Sequence, residues 1–440
     1  MNAYGLRLLA KPRVRIAALG LLALVVVGFR ALQFAALTRQ IQWGYDFSAY
    51  WAAAKHLLAG ESPYTAAQLA GAYAPQVQFL YLYPPPLAAA VAPLTLVVPD
   101  DYRAAAWVWA AVGAAVLAAS VLALHRSERL GERYPILAGR GKWLLLAAAF
   151  SFPPVVGELV LGNVHLLLLG LLTLAWLGVR RAAPRDGLIA GIAVGVATVV
   201  KVFPAIVLLW FLLTRRWRAA AGVFVGIAAV IALALPLTGL ESWSQFPSVL
   251  ANLSFSSDTT DTLAPTVWLA PALGFTVARL VVTAIGIAIL AWAAMARPST
   301  SSAARIHATR ITDRNGTRGP ETGIRSDART FAIAVTVSIL VAPALYHHYL
   351  ALLVLPFILG LGAGVPLRWL ALAYFLMWGG TQPALGDLSW IVNRLAPTAG
   401  ALVLLAALLL APRLPAPRRP DSVLGGPTPD QSGVAAQTLG

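Results

Sequence analysis

Apolar residues run in blocks of about 17 to 25, the length that crosses a bilayer's hydrocarbon as a helix. Clear blocks cover 14 to 37, 104 to 124, 163 to 179, 219 to 237, 273 to 296 and 394 to 411. Others are interrupted. The block 143 to 157 contains Phe152, Pro153 and Pro154, and 187 to 213 is too long for one span and is broken by Lys201, Phe203 and Pro204. It reads as two short helices meeting at Lys201. The block 330 to 363 divides between Pro343 and His348, and a further span covers 367 to 383. Segment 84 to 98 is apolar but short for a crossing and carries Pro84, Pro85, Pro86 and Pro93, with Pro99 beyond it. It reads as a half-embedded helix on one face.

Basic residues in short loops mark the cytoplasmic side. The clusters are Arg126 to Lys142, Arg180 to Arg185, Arg215 to Arg218, the seven Arg between Arg297 and Arg329, and Arg413 to Arg419. All fall on one side if segment 84 to 98 does not cross. The chain is then an all-α polytopic protein of about twelve transmembrane helices, with both termini cytoplasmic. Its long first outer loop, 38 to 103, contains amphipathic helices, and 238 to 269 and a turn at Tyr346 to His348 share that face. The run from Val14, with Lys11, Arg13 and Arg15 around its start, is too long for a signal peptide core and reads as an uncleaved span. Residues 1 to 411 form one transmembrane domain, with a flexible cytoplasmic loop at 297 to 329 and a disordered cytoplasmic tail at 412 to 440.

Composition agrees. Of 440 residues, 59% are hydrophobic and 11% charged, more apolar surface than a soluble globule can bury. The net charge of +16 lies in clusters beside apolar runs, so it orients a membrane protein and implies no nucleic-acid partner. Zero Cys excludes disulfides, thiolate metal sites and Cys nucleophiles.

Four groups stand out on the outer face. Asp46, inside the aromatic run Trp43 to Trp51, either caps the following helix or serves as a carboxylate base. Lys201 costs about 3 kcal/mol in hydrocarbon unless it snorkels or meets an anion such as phosphate. His347 and His348, where one helix ends and the next begins, are structural or donate to phosphate. Asn163 and His165 open a span in the same layer, just after Glu158. Asp100 and Asp101 read as helix caps, and Arg30 as a snorkelling residue. Metal ligation has weak support, because the two adjacent His have no carboxylate at ligand spacing.

Ordered along the chain, Tyr45-Asp46-Phe47-Ser48-Ala49-Tyr50-Trp51 to Gly60 and Pro63-Tyr64, Tyr83-Pro84-Pro85-Pro86, Gly162-Asn163-Val164-His165, Lys201-Val202-Phe203-Pro204 with Arg215-Arg216-Trp217-Arg218, and His347-His348-Tyr349 resemble glycosyltransferase family 87. That resemblance implies a GT-C membrane fold and transfer of a hexose, mannose above all, from a polyprenyl-phosphate sugar to a glycolipid or cell-envelope glycan. It implies Asp46 as the base that deprotonates the acceptor and an active site that includes His347 or His348. No cofactor or metal is expected, since Tyr45 and Phe47 flank Asp46 where other GT-C enzymes carry a paired acid. Gly162-Asn163 departs from the family's usual Gly-Gln. In the combined reading Lys201, His347 and His348 hold the donor phosphate, and Tyr45, Asn163, His165 and Tyr83 line the substrate. The setting is a bacterial plasma membrane with the site extracytoplasmic. A secondary transporter or lipid flippase is the alternative, disfavoured because the polar candidates gather at the interface instead of the midplane. A GT-C transferase using another lipid-linked sugar is a second one.

Overall fold

The computed structural model describes residues 12–71, 79–181, 183–255, 262–296, 321–379 and 391–411. Among them the chain is helical, with no strand. In order the helices are α1 (Pro12–Leu37), α2 (Tyr45–Leu58), α3 (Ala66–Ala70), α4 (Pro85–Val97), α5 (Tyr102–Ser127), α6 (Leu130–Arg133), α7 (Lys142–Ser151), α8 (Pro153–Leu161) and α9 (His165–Arg181). They continue as α10 (Pro184–Val200), α11 (Ile206–Leu213), α12 (Trp217–Phe255), α13 (Pro265–Leu273), α14 (Phe275–Met295), α15 (Glu321–Leu340), α16 (Val354–Ala363), α17 (Leu367–Leu376) and α18 (Ala396–Leu410).

Among the described residues five helices are long and apolar enough to cross a membrane: Ala17–Leu37, Tyr102–Ser127, Trp217–Asn252, Phe275–Met295 and Ile391–Leu410. The pair Gly139–Ser151 and Pro153–Leu161, bent by 61°, is a sixth if it forms one span. Of the other expected spans, 163 to 179 is one unbroken 17-residue helix, the end of 367 to 383 lies outside the described residues, and two are shorter because the chain breaks them. Lys201 is extended (φ −153°, ψ 132°) and separates α10 from a 3-10 turn at Phe203–Ala205 that leads into α11. Likewise α15 ends at Leu340, and the chain restarts as a 3-10 helix at His347–Leu353 running into α16.

Three boundaries differ from the sequence pattern. The outer loop expected at 238 to 269 is helical as far as Phe255, because α12 bends at Gly239 (φ 63°) and continues. Of the segment expected to be flexible, 321 to 329 belongs to α15, since its Arg216–Asp327 and Arg329–Ala411 contacts tie it to the bundle. Residues 297 to 320 and the tail 412 to 440 lie outside the described residues.

Packing places the elements of the first loop. Gly191 and Gly195 of α10 meet Gly222 and Gly226 of α12 backbone to backbone, the small-residue contact that lets membrane helices approach closely. Beyond the Gly239 bend, the last turns of α12 lie on the first loop. There Ser62 Oγ donates to Gln245 Oε1 (2.5 Å), Asn252 Nδ2 donates to the Gln68 carbonyl (2.8 Å), and Phe246 stacks on Tyr64. Asp101 caps α5, as its position before an apolar run suggested, accepting from the Arg103 and Ala104 amides.

Candidate active site

The first loop is docked onto the α8–α9 bend before any side chain chemistry is considered. The Gly44 amide donates to the Val160 carbonyl (2.8 Å), which sets the start of α2 against the end of α8. At Gly162 the chain turns through φ +71°, and a Cβ there would come within 2.8 Å of the Phe47 Cβ. Only glycine makes both the left-handed turn and that approach without strain. The turn delivers Asn163 to Asp46.

Asp46 does not cap its helix. The N-cap is Gly44, and the Asp46 carboxylate, in the first turn of α2, accepts from Asn163 Nδ2 at 2.8 Å. The same amide group lies 3.1 Å from the Tyr83 hydroxyl and 3.3 Å from His348 Nε2. His348 Nε2 is itself 3.5 Å from Asp46 Oδ2. Asn163, shorter than the expected Gln, is thus the hub joining the first loop, α4's leading segment and the late His turn. Asp46 retains 22% side-chain exposure and His348 11%, so both can meet a substrate. Burial raises the Asp46 pKa above the ordinary carboxylate value, while the Asn163 hydrogen bond and the Lys201 charge pull the other way.

Behind this layer runs a second chain of contacts. Glu158 and His165 are 1% and 0% exposed. Glu158 Oε1 accepts from the His165 backbone amide (2.5 Å), and Oε2 lies 2.9 Å from His165 Nδ1. With Nδ1–H held by the carboxylate, Nε2 is the acceptor, and Lys201 Nζ sits 3.0 Å from it. Lys201 also lies over the rings of Tyr349 (3.7 Å) and Tyr83 (5.2 Å). Among the described residues no carboxylate makes an ion pair with it. Lys201 does not snorkel outward. It is an ammonium held by one imidazole and two π faces, with donors to spare for an anion.

The two histidines separate. His348 joins Asp46, whereas His347 turns away, its Nε2 donating to the Met377 carbonyl at 3.0 Å. His347 is therefore corrected from the phosphate-binding set around Lys201. Two consecutive residues opening a 3-10 helix cannot point the same way. Tyr45 is half-buried beside Asp46 at the start of α2. Tyr349, noted in the sequence only as part of the His347-His348-Tyr349 motif, and Glu158, noted beside Asn163, had been given no site role. The signal available was a lone acid in an apolar stretch seven residues before a histidine.

Glu158, His165 and His348 offer ligand atoms within 4.8 Å of one another, a geometry compatible with a metal ion. Both His165 nitrogens are already engaged, however, by Glu158 and by Lys201, so a metal would have to displace the ammonium. The donor set fits the resident Lys better than a second cation.

A family model described as glycosyltransferase family 87 matches residues 81–312, just over half of the chain. No curated protein matches it. The matched stretch contains Tyr83, Glu158, Asn163, His165 and Lys201, while Asp46, His347 and His348 lie outside it.

Proposed function

The chain belongs to glycosyltransferase family 87, and from that premise we propose that it transfers a hexose, mannose in the first instance, from a polyprenyl-phosphate sugar to a glycolipid or cell-envelope glycan on the extracytoplasmic face. The architecture proposed is GT-C with about twelve crossings, counting the half-length helices on either side of Lys201 and of the His turn. A bacterial plasma membrane is the proposed setting.

One observation supports the mechanism above others: a partly open carboxylate, Asp46, and an ammonium, Lys201, that makes no ion pair among the described residues flank one cluster of tyrosines and histidines. Asp46 takes the proton of the attacking hydroxyl as the new glycosidic C–O bond forms. The sugar–phosphate C–O bond breaks on the opposite side, and Lys201 stabilises the charge that grows on the departing phosphate. In-line displacement inverts the anomeric centre. Asn163 aims the carboxylate, and His348 completes the donor set beside it. Tyr83 and Tyr349 wall the space that Lys201 faces. A transporter has less support, because Asp46, Asn163, Tyr83 and His348 form one interlinked cluster on the first loop and helix ends.

The test is transfer from defined polyprenyl-phosphate mannose to a membrane glycolipid extract, by the purified protein and by Asp46→Asn. The variant keeps the shape and the contact to Asn163 but cannot accept the proton. Loss of transfer by about a hundredfold or more supports the base assignment, and full activity overturns it. If a panel of lipid-linked sugars gives no transfer with the intact protein, the transporter reading takes its place.

A further inference from the structure

Between α14, α15 and α18 lies a cavity of about 370 Å³ that the mechanism above does not use, as large as a small-ligand pocket. Helices α14 and α18 both pack on α15 and leave this space between them. Its walls run from Val282 to Ile289 on α14, from Val337 to Val341 on α15 and from Leu395 to Leu405 on α18. Among the described residues no charged side chain lines it, and its one hydroxyl, Thr398 Oγ1, donates to the Leu263 carbonyl at 3.1 Å. Water there would lack the two to four polar partners that hold a buried molecule. Four of the lining residues, Trp268, Ile285, Leu395 and Leu402, are exposed, so the cavity opens on the side of the bundle that faces lipid.

Depth and charge narrow the occupant. From Leu395 to Leu405 the groove follows the chain for about 15 Å, half of a bilayer's hydrocarbon of roughly 30 Å. That is the depth of one leaflet and the reach of a phospholipid acyl chain, whereas a polyprenyl tail would overrun it. The leaflet is the one beside the active site, because the cavity's walls are bonded to the late His turn. Thr398 holds the Leu263 carbonyl, the Leu263 amide donates to the Leu345 carbonyl, and Thr262 Oγ1 accepts from the Leu345 amide at 3.0 Å. Leu345 is three residues before His348. One turn above the cavity on the same face of α14 stands Arg279, three residues before Val282 and seven before Gly286. It lies about 6 Å from the helix end at Phe275, and helical side chains lean toward the N-terminus, so its guanidinium reaches the headgroup layer.

We propose that this groove binds an anionic phospholipid, with one acyl chain lying between α14 and α18 and the phosphate at Arg279. The chain fills the apolar space that water does not, and the guanidinium selects a headgroup of negative charge. A bound chain braces α13 and α18, which together hold Leu345, and so steadies the turn that carries His348 without touching the reacting groups.

Phosphatidylglycerol carrying a diazirine midway along one acyl chain would be photocrosslinked to the purified full-length protein in mixed micelles, and the adducts mapped by peptide mass spectrometry. They should concentrate on α14 between Val282 and Ile289 and on α18 between Leu395 and Leu405, and unlabelled phosphatidylglycerol should compete them away. Arg279→Gln is expected to lower these adducts about fivefold, the effect of one Arg beside an anionic headgroup, and Arg279→Lys to restore most of them. Ala399→Phe, at a half-buried lining position, fills the groove and should remove them. Adducts on α1, whose Leu21, Leu24 and Phe29 are exposed, report ordinary lipid contact and should not change in any variant. Groove adducts no denser than those on α1, or unchanged in either variant, overturn the site. Stronger competition by polyprenyl phosphate than by phosphatidylglycerol overturns the phospholipid and gives the groove to the carrier. If Ala399→Phe does not fold, Leu402→Phe at an exposed lining position takes its place. Binding is read without any sugar transfer, so the result stands apart from the fate of Asp46 as a base.

Discussion

Asp46 is held by influences that pull its proton affinity in opposite directions. Burial favours the protonated acid, while the Asn163 amide and the Lys201 charge favour the carboxylate. The balance lies on the raised side, so as pH falls Asp46 takes its proton earlier than an exposed carboxylate would. A base must be ionised, and the acid limb of kcat/KM is therefore expected above the ordinary Asp value of about 3.9. Asn163→Ala removes a donor that stabilises the anion and should move that limb further up. A limb that stays where it was would mean the limb belongs to another group. Behind it, Glu158 is hydrogen-bonded toward Lys201 only through His165, although its charge also acts on the ammonium directly. Glu158→Leu should lower donor use roughly tenfold, whereas Glu158→Gln, which still offers an oxygen to Nδ1–H, loses less. The double variant Glu158→Leu/Lys201→Ala should be no worse than Lys201→Ala alone, and losses that multiply would show that Glu158 works by another route. Lys201 and Asp46 were legible in the sequence because a charge beside hydrocarbon needs a reason. Which of two adjacent histidines faces the site was not, because that depends on the backbone geometry of a 3-10 start. Arg30, read as snorkelling, is instead 5% exposed and lies 4.7 Å over the Trp378 ring, because sequence gives its depth but not its rotation about α1.

At the scale of elements, the site is made by breaks. Helix α8 gives way at Gly162, α10 at Lys201 and α15 after Leu340, and each break presents a polar residue to the others. The breaks at Lys201 and near Pro343 were visible in the sequence as interruptions of apolar runs. A change at Gly239 was visible too, as the end of the apolar block at 237, but the polar residues from Glu241 to Gln245 hid that the helix resumes and runs to Phe255. Gly162→Ala tests whether the break itself matters. Alanine there meets both a left-handed φ and the Phe47 Cβ, so a loss of at least about 1 kcal/mol is expected, together with a fall in transfer as Asn163 leaves Asp46. Gly60→Ala is the control, at φ +78° with nothing within 4 Å of the added Cβ. It should lose a similar part of the backbone term, read as a lower Tm, and retain transfer. Equal transfer losses in the two variants would show that the α8–α9 bend has no special part in positioning the site.

The whole molecule's orientation rests on its basic loops. The Arg clusters between 126 and 142, 180 and 185, and 215 and 218 share one face if the helices flanking Lys201 each cross, and the polar cluster around Asp46 then lies on the other. That arrangement requires α10, at 17 residues, and α11, at 8 residues and about 12 Å, to reach Lys201 as a broken pair from the same side, so that Lys201 lies part-way through the hydrocarbon in a break that opens to the other face. Electrostatics makes the same demand, because a lipid phosphate can reach Lys201 only if the break opens toward a headgroup layer. The absence of Cys makes this measurable with no background. Single substitutions Ser62→Cys, Ser244→Cys and Ser299→Cys would be labelled in intact cells with a membrane-impermeant maleimide. Positions 62 and 244 should react from outside, and 299 only after permeabilisation. Labelling of 299 from outside, or protection of 62, would reverse the orientation, place Asp46 and Lys201 on the cytoplasmic face, and remove the argument for a donor presented outside the cell.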